Sequence, residues 1–421
     1  MASVISDKFA EVMMSNVRPK AEPIIRAIKT NDNGETTELI WKAKDIKNMS
    51  LKQSIDPMGR ELPYIELTWT EIYLGQEDFE SSAKFINASS KMAVYLTITQ
   101  NLGFYNVWRT LYSGGITWED LADRRKTWKS LKNNVETESI EYPVLFLEDK
   151  PEINGMTITW KARDFLSFLS APFFYPNRAT ENISFFDPII SSLEGISDEE
   201  VSTSEFNNYL LNTKIMFDDA KTENPNLFMN KIYVNSDTKT FLKNYLSLKN
   251  FYLIFDKEKL NFIRFLDLPR ANHKTSFKNN VIFKKPKREK IPQISKYIYS
   301  IYDYNDSGDW VQVYVDGNKN PSVTFNKQGE EYVENNPLNY YRHYSTPSEK
   351  ADTLTTYFDA SKVVLSFECL PHFEFGSNDV VEVQSNLYTE DGTTKSHKTL
   401  IIKNEITYSG AFRQKIIAHE I

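Results

Sequence analysis

Cysteine is almost absent: Cys369 is the one example in 421 residues. No intrachain disulfide is available, and a chain that folds in a reducing compartment fits this best. Glycine is scarce at 14 residues, which argues against glycine-rich nucleotide-binding loops and flexible linkers. Positive charge is not in excess. Lys and Arg number 50 against 57 Asp and Glu, leaving a net charge of -7, so the chain as a whole has no attraction for nucleic acid. No apolar run approaches the length of a membrane-spanning helix.

Motifs for chemistry are missing as well. No Gly-Lys-Ser/Thr loop, Gly-x-Ser-x-Gly elbow or paired His-Glu motif is present. The five histidines, His273, His343, His372, His397 and His419, stand at no helical ligand spacing with a second His or Cys. Cys369 reads as a core or strand residue. Carboxylates are plentiful, but clusters such as Glu77/Asp78/Glu80 and Asp198/Glu199/Glu200 read as solvated faces. No catalytic, cofactor-binding or metal-ligating residue is singled out, and the sequence reads as β-rich, multidomain and not an enzyme.

What is present is aromatic and β-branched. Phe, Tyr and Trp make up 14% of the chain, a composition that favours strands. The length implies two to four domains. The stretch from Met156 to Ser170 divides the chain. Met156, Ile158 and Trp160 alternate with polar residues as in a half-buried strand. Asp164 then stands where an N-cap belongs, before the short apolar helical face of Phe165, Leu166, Phe168 and Leu169, and Pro172 ends it. Capping outweighs a catalytic role for Asp164.

Before that point, Pro23–Thr30 and Glu35–Trp41 read as strands around an Asn33-Gly34 hairpin turn, and Lys42–Ser54 as extended. Asp56-Pro-Met-Gly59 reads as a turn, and Glu61–Tyr73 as a strand with Ile65, Leu67 and Trp69 on one face. Asp78–Met92 has helical composition, and Val94–Thr99 and Val144–Leu147 read as strands. Trp108–Asn134 reads as a Trp-rich insertion with a helix over Thr117–Lys132. At the start of the chain, Val4, Ile5, Phe9, Val12, Met13 and Met14 are interrupted by Asp7 and Glu11. That is an amphipathic helix rather than a signal peptide: a docking arm on the chain's own surface, or a contact with a neighbouring subunit.

After Pro172 the character changes. Helices are expected over Ser204–Thr213 and Thr238–Leu246, and a hairpin over Lys249–Phe255 and Leu260–Phe265. The basic run Pro269–Pro292 reads as a solvated linker or edge strand. From Ile294 on, strands are expected at Tyr297–Tyr304, Trp310–Val315, Val363–Phe367, Val380–Gln384, Lys398–Lys403 and Glu405–Tyr408, with one helix at Ser348–Phe358. Ile40-Trp-Lys-Ala-Lys-Asp45 echoes Thr159-Trp-Lys-Ala-Arg-Asp164, too briefly to indicate duplication.

The order of several landmarks resembles that of phage baseplate hub, or tail-tip hub, proteins. They are Asp56-Pro-Met-Gly-Arg-Glu-Leu-Pro63, Ala162-Arg-Asp-Phe-Leu166, the helix and hairpin of Phe241–Phe265, Asn336-Pro-Leu338, Pro371-His-Phe-Glu-Phe-Gly-Ser-Asn-Asp-Val-Val381 and Ile406-Thr-Tyr-Ser-Gly410. Two extra residues between Gly376 and Asp379, and the Trp-rich insertion, depart from the family's pattern. The resemblance implies an α+β, β-dominated chain with two tube-forming, barrel-like domains joined by a mixed middle segment. It implies an arm at 1–22, a first barrel at 23–164 with the insertion at about 104–134, a middle domain at 165–292 and a second barrel at 293–421. The implied role is a virion protein of the tail tip, assembled in the host cytoplasm. As a homotrimer it would adapt a sixfold tail tube to a threefold tip and guide genome ejection. Its implied partners are the distal tail or tail-tube protein, the tape-measure protein and tip or fibre proteins. DNA would pass through the lumen without specific binding, and the host envelope would be met only indirectly. The competing readings are a hexameric distal tail or receptor-binding adaptor protein and, from another class, a cell-wall carbohydrate-active enzyme.

Overall fold

The computed structural model describes residues 5–15, 18, 20–30, 33–56, 61–72, 91–102, 137–148, 151–175, 183–196, 203–229, 234–247, 249, 251–264, 275–278, 281–283, 286–290, 294–298, 301–304, 307, 309–313, 322–324, 330–333, 363–385 and 395–421. The expected turn at Asp56–Gly59, the helices at Asp78–Met92, Thr117–Lys132 and Ser348–Phe358, and Asn336–Leu338 lie wholly or almost wholly outside them.

The chain is β-dominated. Its main feature is one large antiparallel sheet, with fourteen strands among the described residues. In chain order these are β1 (Ala21–Thr30), β2 (Thr36–Lys42), β3 (Ile46–Ser54), β4 (Tyr64–Ile72), β5 (Ala93–Asn101), β6 (Thr137–Glu141), β7 (Leu145–Leu147), β8 (Glu152–Asn154), β9 (Thr157–Arg163), β10 (Lys287–Lys290), β11 (Val363–Cys369), β12 (Val380–Ser385), β13 (Lys395–Tyr408) and β14 (Phe412–Glu420). The spatial order is β10-β11-β14-β13-β3-β4-β9-β7-β5-β1-β2, with β12 beside β13, β6 beside β5 and β8 beside β9.

β1 to β9 form the first module. Its inward residues alternate along each strand: Ile25 and Ala27, Leu39 and Trp41, Ile65, Leu67 and Trp69, Ile158, Trp160 and Ala162. The sheet rolls around them. β2 and β4 are five strand steps apart, roughly 24 Å in a flat sheet. Yet the rings of Trp41 and Trp69 lie 5.0 Å apart, and those of Trp41 and Trp160 lie 5.1 Å apart. Glu71 accepts from the indole N–H groups of both Trp41 (2.6 Å) and Trp160 (3.2 Å), so these buried donors are satisfied. Among the described residues no pairing joins β2 to β3. The roll is open there, and β3 gives its free edge to β13.

The expected hairpin at Asn33-Gly34 is present, with Gly34 at φ 77 and Thr30 opposite Thr36. Two readings are corrected. Lys42–Ser54 is not continuous, because Asp45 accepts from the Lys42 N–H (3.0 Å) and turns the chain before β3. Met156 is 65% exposed rather than on the core face, because Gly155 (φ 60) makes a turn between β8 and β9.

α1 (Asp7–Met13) lies on the first module with Phe9 and Met13 fully buried. After β9 come a 3-10 turn at Phe165–Phe168 and a helical body with α2 (Asp187–Glu194), α3 (Ser204–Glu223) and α4 (Thr238–Ser247). α3 runs a further ten residues past the expected end, because Met216, Phe217 and Ala220 continue its buried face. The expected hairpin is there as Phe251–Phe255 against Leu260–Arg264. Phe185, Phe241 and Tyr245 stack in this body's core.

The expected strand Tyr297–Tyr304 is two strands, Ile294–Ile298 and Ile301–Tyr304, in separate small sheets. Lys398–Lys403 and Glu405–Tyr408 are instead one strand, β13, with a register shift between Ile401 and Lys403. Among the described residues no helix is long and apolar enough to cross a membrane.

Candidate functional site

Several buried polar residues of the sheet gather where the first module meets the second, formed by β10 to β14. β13 changes partner at its register shift. Lys395–Leu400 pairs with β12, while Lys403–Tyr408 pairs with β3 of the first module. β14 backs both halves. On the inward face of this junction stand Gln53, Asn404 and Gln414, each where its neighbours Leu51, Ile406 and Ile416 are apolar and fully buried. Asn404 Nδ2 donates to Gln53 Oε1 and to Phe375 O, both at 3.0 Å. Gln414 Nε2 donates to Asn404 Oδ1 (2.8 Å), and Gln414 Oε1 accepts from the His372 N–H (2.8 Å). Three amides from three strands thereby tie β3, β13 and β14 to one loop.

That loop joins β11 to β12 and is buried from Pro371 to Phe375 and again at Asn378 and Asp379. Phe373 lies in the first module's core and Phe375 in the second's. Tyr142 donates its hydroxyl to Phe373 O (3.0 Å), and Asp379 accepts from the Gly376 N–H (2.8 Å). Asn378 takes φ 78, a left-handed conformation that Asn tolerates. A side chain at Gly376 would meet Gln53 Oε1 at 3.2 Å, so the loop sits close against β3.

The opposite face of the junction carries alternating charge. Glu368, Lys415, Glu405, Lys52, Glu66 and Arg163 stand directly opposite one another in turn, on β11, β14, β13, β3, β4 and β9. Opposite charges facing across strands contribute roughly 0.2–1 kcal/mol per pair. At the β9 end Arg163 and Lys161 both pair with Glu66 (3.6 and 3.1 Å) and Glu148 (3.2 and 3.7 Å). A one-residue slip of β13 on β3 would set Glu405 opposite Leu51 or Gln53 instead of Lys52 and turn Asn404 outward.

Several of the landmarks read from sequence fall around this junction. Asp164 is 2% exposed and accepts from Ile65 N–H (3.0 Å) and Ser167 N–H (3.1 Å), so it caps the 3-10 turn and clamps it to β4. Burial pushes its carboxyl up to about 6 against these hydrogen bonds. Glu61-Leu-Pro63 and Arg163-Asp164 line one cavity of about 420 Å³ with Lys239 and Lys243 of α4. Pro371–Val381 is the buried loop with the start of β12, and Ile406–Tyr408 is the part of β13 that pairs with β3. Cys369 is buried at the end of β11, as expected for a core residue. Of the basic run, Lys287–Lys290 is an exposed edge strand; Lys284 and Lys285 lie outside the described residues. Among the described residues no group of three or more His, Cys, Asp or Glu is placed to hold a metal.

Sequence reasoning missed Arg18, Gln53, His372, Glu374, Asn404 and Gln414. The signal for three of them was a polar residue at an inward position of an otherwise alternating strand.

No family model and no curated protein matches the sequence. Among solved structures, the chain is similar to the prophage MuSo2 43 kDa tail protein from Shewanella oneidensis, at 11% identity and TM-score 0.47, over 94% of this chain and 97% of that one. It is similar to the tail protein from Neisseria meningitidis MC58 at 7% identity and TM-score 0.46, over 94% and 96%. A chain of the lidded Francisella PdpA–VgrG complex aligns at 12% identity and TM-score 0.44, over 96% of this chain and 53% of that one. At these identities and scores no residue here takes a role from them.

Proposed function

We propose that this chain is a structural component of a phage tail: a trimeric hub at the baseplate or tail tip that closes the tail tube and meets it with six similar β modules. The observation that carries this reading is the β3–β13 pairing, which sets the two modules edge to edge in one continuous sheet. Supporting it, several sequence landmarks of the hub resemblance, Ala162–Leu166, Pro371–Val381 and Ile406–Tyr408, lie at or beside that junction. The junction's three amides, Gln53, Asn404 and Gln414, are spent on each other and on main chain, which favours a structural role. Two modules per chain and three chains give six positions, enough to meet a sixfold tube. The tail-tube or distal tail protein, the tape-measure protein and tip proteins are then its partners. The protein is located in the virion, with DNA passing through its lumen unbound. Native mass spectrometry of the purified protein or of the released tail tip tests the stoichiometry. Three copies of the 49.0 kDa chain are expected; a stable hexamer would assign the chain to the distal tail ring instead.

A further inference from the structure

The N-terminal arm crosses from one β module to the other. Ser6 caps α1 and donates from N to Glu138 Oε1 (2.9 Å) on β6. Phe9 and Met13 fill the first module's core. Arg18 then closes the other end of the helix: its Nε donates to Ser15 O (3.1 Å) and its Nη2 to Met13 O, carbonyls near the helix end. The same guanidinium reaches the second module. Nη1 donates to Pro371 O, and Nη2 lies 3.3 Å from His372 Nε2.

His372 is fully buried. Its Nδ1 is 3.0 Å from Glu374 Oε1, which also accepts from the Thr275 hydroxyl. A carboxylate only accepts, so Nδ1 carries the proton and Nε2 offers its lone pair to Arg18. We propose that Pro371 O and His372 Nε2, with the Glu374 carboxylate on the far side of the ring, form a guanidinium-binding socket, filled in cis by Arg18, and that protonation of His372 empties it and frees the N-terminal arm. An imidazolium donates from both nitrogens. Its Nε2–H would then face another donor, with two positive charges 3.3 Å apart.

The charged and titratable groups around His372 are Glu374 on its own loop, Arg18 from the arm, Cys369 from β11 and, beyond Glu374, Tyr142. Burial lowers His372, against the pull of Glu374. Burial raises Cys369 and Tyr142, and brings Arg18 down to about 10. Burial opposes the charge of Glu374, but His372 and Thr275 hold its carboxyl below the usual range. His372 is therefore the group of this cluster that changes charge on mild acidification. Release of the arm removes the Arg18 charge that helps to hold His372 down, so the released state takes up the proton more readily. Attachment is therefore intact where the ring is neutral and weakens on acidification, by up to about tenfold per pH unit.

Hydrogen exchange of the full-length protein, corrected for intrinsic rates, tests this. Between about pH 7.5 and 5, protection of the α1 amides should fall by more than tenfold while β4 and β9 amides keep theirs. His372→Asn should abolish that pH dependence. Arg18→Ala should expose α1 at neutral pH, and millimolar methylguanidinium, but not methylammonium, should restore protection. Equal α1 protection at both pH values in the wild type overturns the proposal. So does failure of methylguanidinium to restore protection in Arg18→Ala. Should His372→Asn not fold, those two measurements decide.

Discussion

Asn404→Leu keeps the branching of the side chain and removes its polar atoms. Asn404 Nδ2 serves Gln53 Oε1 and Phe375 O, and its Oδ1 serves Gln414 Nε2. Gln414 Nε2 keeps a second contact with His372 O at 3.4 Å, but Gln53 Oε1 and Phe375 O lose their donor in a buried place. Stranding a buried polar group costs about 1–3 kcal/mol, so two cost about 2–6 kcal/mol. Burial of the leucine's apolar atoms returns on the order of 1 kcal/mol. The variant should therefore lose about 1–5 kcal/mol in urea unfolding followed by far-UV circular dichroism. Adding Gln53→Met removes one of the stranded acceptors. The double variant should lose less than the sum of the singles, with a coupling on the order of 0.5–3 kcal/mol. An Asn404→Leu protein within about 0.5 kcal/mol of the parent, or two strictly additive changes, would refute the idea that these amides act as one joint.

Trp160→Ala removes a ring packed on Trp41 and Trp69 and a donor to Glu71, and should cost roughly 3–5 kcal/mol in the same assay. Asp164→Ala should cost about 0.5–2 kcal/mol as a lost cap. The folded Asp164 carboxyl is raised, so its contribution is fully present below its ordinary 3.8 and is lost as pH rises through about 6. Asp164→Asn should flatten that part of the stability–pH profile, and an unchanged profile counts against the burial argument. Neutralising Lys284, Lys285, Lys287 and Arg288 together should leave binding to random DNA as weak as in the parent. Salt-sensitive binding by the parent, lost in that variant, would place these cations on a polyanion instead.

Local rules were legible in the sequence. Asn33-Gly34 marked its hairpin because Gly34 supplies a positive φ in the five-residue loop between Thr30 and Thr36, and Ile65, Leu67 and Trp69 gave their face by simple alternation. Asp164 was visible as a cap because a cap is defined by residues three apart. The misreadings arose where two local signals competed. Met156 continued an alternating pattern, but Gly155 had already turned the chain. Asn404 looked like the end of one strand and the start of another. It is polar because it is shared by three strands, not because the strand stops. The junction as a whole was hidden. Arg18, Gln53, His372, Asn404 and Gln414 are separated by tens to hundreds of positions, and no period within one strand or helix encodes their meeting. β14 was missed for a related reason: its alternation of Gln414, Ile416 and Ala418 begins with a glutamine that makes sense only beside Asn404.

The most direct measurement is a reconstruction of the tail tip of particles that carry this protein, at a resolution that traces β3 and β13. The hub reading predicts three chains around the axis, their two β modules alternating in a ring of six, with β3 and β13 of the same chain paired at every second junction. Six copies in that ring, or a chain placed off the tail axis, would contradict it.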